Sequence, residues 1–94
     1  MNNLTELNKT YITEMKKLAA GLVEKGISFR FQDLHDGYQI VVNGDDDYHW
    51  DAICHSYSYG HEYGKLEIMG NIVSPDAGDN VEGCLTAEDI LKRL

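Results

Sequence analysis

The hydrophobic period of this chain changes at Gly26, and that change constrains the fold more than any other feature. Before it, Leu4, Leu7, Tyr11, Met15, Leu18 and Leu22 recur at steps of three and four, which keeps them on one helical face. The spacing predicts an amphipathic helix over residues 3–25, ended by Gly26 in a left-handed cap. After it, Ile27, Phe29 and Phe31 alternate with Ser28, Arg30 and Gln32, the period of a half-buried strand. A stripe on a helix followed by alternation on strands is buried by laying one element on the others.

The alternation then repeats. His35-Asp36-Gly37 reads as a turn whose Asp-Gly pair favours a tight hairpin, and Asn43-Gly44 is a second such signal. Between them Tyr38, Ile40 and Val42 share one face of a second strand. Tyr48 to Ser56 forms a third, with Trp50, Ala52 and Cys54 inward, because the opposite choice buries His49, Asp51 and His55. Gly60 and Gly64 bracket a turn before a fourth strand, Lys65 to Met69. Residues 70–85 read as an acidic loop containing Pro75. Thr86 caps a short helix with Asp89 completing a capping box, and Ile90, Leu91 and Leu94 pack inward. The expectation is an α+β domain over residues 1–94: two layers, a four-stranded antiparallel meander, order α-β-β-β-β-α. The outer sheet face is expected to carry Arg30, Gln39, Val41, His49, Asp51, Ile53 and His55.

Ninety-four residues with 43% hydrophobic content suffice for one modest core and exclude a disordered chain. The longest apolar run, Leu18 to Val23, is broken by Gly21 and falls short of the ~20 residues of a membrane span. No basic stretch leads into an apolar one near Met1, so no secretory signal is expected. Cys54 and Cys84 are accordingly expected to be reduced cytosolic thiols.

Charge is strongly segregated. Residues 1–32 hold five bases against three acids, whereas residues 33–91 hold thirteen acids and one base, Lys65, a net of −12. Such a field repels nucleic acid and anionic membranes and attracts basic protein surfaces. Part of it lies in Asp45-Asp46-Asp47, and part in Asp76, Asp79 and Glu82. Neither set has the alternate spacing of a calcium loop. They read as solvated turn acids or as an acidic surface for a basic partner.

His49, Cys54, His55 and His61 are the residues with metal or catalytic chemistry. His49 and His55 lie ~20 Å apart on an extended strand, too far for one ion. Only a bend, for example one bringing His55 to His61, changes that. Cys54 and His55 point to opposite faces and cannot pair as nucleophile and base in line; a pairing of a cysteine with His35 through space has no support in the spacing. No metal or cofactor is expected, and Cys54 reads as a small core residue.

Residues 56–64, Ser-Tyr-Ser-Tyr-Gly-His-Glu-Tyr-Gly, combine three tyrosines, two serines and two glycines. Rigid amphipathic rings, small hydroxyls and a pliable backbone are the composition of a recognition loop. The competing reading is a pair of strand ends with half-buried rings. Tyrosine beside carboxylate suits a basic partner, since arginine stacks on the ring and pairs with the acid.

The acidic half, the hairpin turns and the tyrosine loop together resemble the small acidic proteins of phages and prophages, and within them anti-CRISPR proteins. The resemblance is one of size, charge and texture over residues 33–91 and transfers no residue roles. It implies an inhibitor that occupies a nucleic-acid-binding surface of a host defence protein, with mimicry of DNA charge as one form.

The leading expectation is therefore a cytoplasmic, non-enzymatic acidic binding protein, acting in a bacterial host cell if phage-encoded. Its expected contacts are Asp45, Asp46, Asp47, Asp51, Tyr57, Tyr59, Glu62 and Tyr63. Its partner is a basic, nucleic-acid-handling protein, with no direct nucleic acid and no membrane. The alternative is a structural or accessory phage protein that acts as a homo-oligomer. The third reading is a small metal or Cys-His enzyme.

Overall fold

The computed structural model describes residues 2–43, 49–77 and 80–94, with side chains from Thr10 onward. The N-terminal stripe forms helix α1, Asn2–Glu24. Gly26 takes φ 72°, and its N–H donates to the Val23 carbonyl while the Ile27 N–H donates to Leu22, both at 3.0 Å. This double bond pattern satisfies two carbonyls at the helix end and turns the chain out.

Five strands follow rather than four: β1 (Arg30–Leu34), β2 (Gly37–Asn43), β3 (His49–Cys54), β4 (Leu66–Gly70) and β5 (Val81–Leu85). A 3-10 turn, His61–Tyr63, sits between β3 and β4, and helix α2, Ala87–Leu91, closes the order. The sheet is an antiparallel meander in sequence order. The expected acidic loop over residues 70–85 thus contains the fifth strand. Glu82 and Gly83 weaken the strand propensity of this segment, and pairing with β4 imposes the conformation. A bulge between Leu66 and Ile68 leaves Cys84 at φ 60°.

The β1–β2 turn also differs from expectation. Its two residues are His35 and Asp36, with Leu34 paired to Gly37, and His35 rather than the glycine takes positive φ, 54°. Gly37 is required for another reason: a Cβ there would strike the Cys54 carbonyl of β3. β1 starts three residues later than its alternation indicates, and Ile27 and Phe29 pack on the core from the lead-in segment.

Ile40, Val42, Trp50, Ala52, Cys54, Leu66 and Ile68 form the inner face and are buried against Tyr11, Met15, Leu18 and Leu22 of α1. The inward assignment of Trp50, Ala52 and Cys54 holds. α1 covers β2 and β3 and packs on α2, where a Cβ on Gly21 would strike Leu91. Thr86 and Asp89 form the expected capping box. Another donor of that helix start, Ala87 N–H, goes to Glu14 Oε1 of α1 at 2.8 Å. No described helix is long and apolar enough to cross a membrane.

The outer face carries Arg30, Gln39, Val41, His49, Asp51 and Ile53 as expected, and register adds Gln32, Glu67, Met69 and Val81. His55 does not belong to it. It lies past the end of β3, and only 6% of it is exposed.

Candidate functional site

The chain leaves β3 at Cys54 and returns to the sheet at Leu66. The intervening loop is fastened at several points. Ser58 Oγ accepts the His55 N–H at 3.0 Å and donates to the His55 carbonyl at 2.9 Å, closing a buried clip. Asp36 accepts the Ser56 N–H at 3.0 Å, tying the loop to the β1–β2 turn. Glu67, on β4, accepts the Tyr59 N–H at 2.9 Å. The Cys84 N–H of β5 donates to the Tyr59 carbonyl. Gly60 and Gly64 flank the 3-10 turn at φ 92° and 69°, and a Cβ on Gly60 would come within 2.8 Å of Cys84 Cα.

A backbone held this way leaves the rings outside. Tyr57, Tyr59 and Tyr63 are 81%, 69% and 79% exposed, so the half-buried reading of these rings is replaced by display. The loop spans one end of the sheet. Tyr57 meets the His35 ring of the β1–β2 turn at 6.0 Å, while Tyr59 abuts Gly83 of β5. Glu62 is exposed within the same loop, 3.1 Å from His61 Nδ1.

The other expected contacts are not all with them. Asp51 lies in mid-strand on the outer face, separated from the loop by the Ile53–Glu67 pair. Its carboxylate accepts Gln39 Nε2 at 2.8 Å, and Gln39 in turn accepts Gln32 at 2.7 Å. Asp45, Asp46, Asp47 and Asp79 lie outside the described residues. Among the thirteen acids of residues 33–91, Asp36, Asp51, Glu67, Glu82 and Asp89 each give an oxygen to a hydrogen bond of the fold. Much of the acidity read from the sequence is therefore engaged in structure.

The histidines and cysteines are dispersed. His49 is exposed at the far end of β3, beside Asn43, with its N–H donated to the Asn71 side chain. His61 Nδ1 is bound to the Ser58 carbonyl at 2.6 Å, and its ring meets Tyr11 edge-on. Cys54 is buried, and that burial pushes its thiol up to about 12. A thiol so placed stays protonated and is a poor nucleophile. Cys84 is exposed. Among the described residues no three His, Cys, Asp or Glu side chains group to hold a metal.

Sequence reasoning missed the cluster at the loop's root. His35, His55 and Tyr57 meet edge to face, with ring centroids 5.0 to 6.0 Å apart. It also missed Glu67, 8% exposed. An acid between Leu66 and Ile68 falls on the outer face and reads as solvated, but the returning loop covers it. Ser58, three residues after His55, was the local signal for the clip.

No family model, curated protein sequence or solved structure matches this chain.

Proposed function

We propose that this chain is a non-enzymatic protein that binds a basic surface of a protein partner through the loop carrying Tyr57, Tyr59, Glu62 and Tyr63. The observation that carries the reading is the display of three tyrosines, each at least 69% exposed, from a backbone tied to β4, β5 and the β1–β2 turn. A preordered loop loses little freedom on binding, and large amphipathic rings are the usual anchors of an interface. The net charge of −8 steers such a protein to basic patches. The likeness to anti-CRISPR proteins in size and charge adds the kind of target: a nucleic-acid-binding surface of a bacterial defence protein, in the cytoplasm. Asp45, Asp46 and Asp47 complete the proposed contact set as steering charges.

Capture from a bacterial lysate with mass spectrometry identifies the partner, and surface-plasmon kinetics at several salt concentrations test the contacts. Tyr59→Ala or Tyr63→Ala is expected to weaken binding by about 1–3 kcal/mol, mainly through dissociation. Replacing Asp45, Asp46 and Asp47 with Asn is expected to slow association and flatten its salt dependence. Parent-like kinetics in all three variants would remove the loop from the interface.

One observation favours the homo-oligomer as a second reading. β1 is an edge strand exposed on both faces over Arg30–Asp33, and Phe31 is 37% exposed. Exposed edges pair readily with further strands. Sedimentation velocity over a hundredfold concentration range separates the readings: a single monomeric species excludes the second.

A further inference from the structure

His55 sits where the loop leaves the sheet, and its ring nitrogen Nδ1 accepts the Tyr57 backbone N–H at 3.0 Å. An acceptor nitrogen carries no proton, so this ring is the neutral tautomer with its hydrogen on Nε2. Every element packed around it brings a polar or titratable group. His35 and Asp36 face it from the β1–β2 turn, Glu67 from β4 and His61 from the 3-10 turn. Tyr57 faces it from its own loop, and Cys54 precedes it on β3. The His35 ring stands edge-on at 5.0 Å. Both nearby carboxylates have other duties: Asp36 accepts from Ser56, and Glu67 from Tyr59.

We propose that His55 is a proton-operated latch on the tyrosine loop. When neutral, it holds the loop against the sheet through the Tyr57 N–H; when protonated, it releases that hold. Uptake of one proton from solvent at Nδ1 turns the acceptor into a donor. Two N–H groups then face each other, and the Tyr57 bond is lost. The Ser58 clip uses only the His55 backbone and the Ser58 hydroxyl, so it survives, and the motion is confined to the residues beside it. Burial, and then the neighbouring His35, hold His55 below its ordinary 6.5, while Asp36 and Glu67 pull the other way. The latch is therefore closed above 6.5 and opens as pH falls below that value. A charged His35 repels a charged His55 across 5.0 Å, which opposes protonation and so favours the closed latch. The latch belongs to the free chain and stands whether or not the tyrosines meet a partner.

Nitrogen-detected NMR of the histidine rings, with amide hydrogen exchange at Tyr57, tests this between pH 7.5 and 4.5. The expected neutral tautomer of His55 carries its proton on Nε2. As pH falls toward the His55 midpoint, Tyr57 protection is expected to fall about tenfold per pH unit, in step with the rising protonated fraction, and to level off below it. Amides within β2 and β3 should keep their protection. His35→Asn tolerates the positive φ of the turn and leaves the latch bond intact; it should move the His55 and Tyr57 midpoints upward together. A proton on Nδ1 in the neutral ring would overturn the proposal. So would Tyr57 protection that is flat with pH, or a Tyr57 midpoint that stays put while that of His55 moves in the variant.

Discussion

Glu82 and Arg93 meet through both pairs of terminal atoms, Nη1 to Oε1 at 2.8 Å and Nη2 to Oε2 at 2.6 Å. Glu82 pairs with Ile68 across the strands and so sits on the inner side of an edge strand. The same carboxylate accepts the Ser74 N–H, and the guanidinium reaches the Ile72 carbonyl. One ion pair thus joins β5, the segment after β4 and the end of α2.

The Arg93 hydrogen bonds, then the Ser74 N–H, lower Glu82 from 4.5 to about 2. A carboxyl lowered on folding stabilises the fold above its unfolded value and loses that contribution as pH falls through its folded value. The contribution is therefore complete above about 4.5 and vanishes as pH falls through about 2. Discounted for solvent screening, it amounts to about 1–2 kcal/mol. Urea unfolding of Glu82→Gln should show that deficit at pH 7 and a much smaller one near pH 2.

Glu14 holds the start of α2 from the opposite end of the chain. Glu14→Ala orphans the Ala87 N–H, whose residue is 1% exposed, and should cost about 1–3 kcal/mol. Thr86→Ala, which removes the acceptor for Asp89 N–H, should cost about 1 kcal/mol. Both donors belong to one helix turn, so the double variant should lose less than the separate losses combined. Chemical denaturation of the two single variants and the double variant measures the difference.

Two glycines should respond to alanine for different reasons. At Gly26 there is open space but φ is 72°, so the cost is backbone strain alone, about 1 kcal/mol, and Asn should restore part of it. At Gly37 the added methyl meets the Cys54 carbonyl, and β2 must move from β3. That should cost about 2–3 kcal/mol, with Asn worse than Ala. Thermal melts of the four variants distinguish strain from collision.

The two thiols should react in separate phases with an aromatic disulfide reagent at pH 8. Cys84 is exposed and should react at once. Cys54 has 0% exposure, and burial pushes its thiol up to about 12. It should react only as the chain opens, with a rate that rises in urea in parallel with unfolding. A fast second thiol would show that the end of β3 opens locally.

The elements legible in the sequence were those whose apolar pattern matches their burial. The stripe through Tyr11, Met15, Leu18 and Leu22 and the alternation at Trp50, Ala52 and Cys54 are read directly from side-chain period. β5 escaped because Glu82 and Gly83 hide its alternation; Glu82 turns inward only because Arg93 meets it there. His55 was assigned to the outer face by continuing the period past the strand's end, where a Ser58 clip bends the chain away. The tyrosines were legible as a composition, and their display was not, since exposure depends on the distant Glu67 and Cys84 that fasten their backbone.

The pairing of Glu14 with Ala87 also sets a timetable for biosynthesis. The helix that carries Glu14 leaves the ribosome early, and its partner lies 73 residues later, roughly 4–15 s at ordinary elongation rates. Until β2 to β4 follow it out, the nascent helix shows its apolar stripe to solvent, or to whatever chaperone waits at the exit. The contact between α1 and α2 consequently cannot close before the whole sheet has been synthesised, and slowed elongation just before Ala87 should delay it.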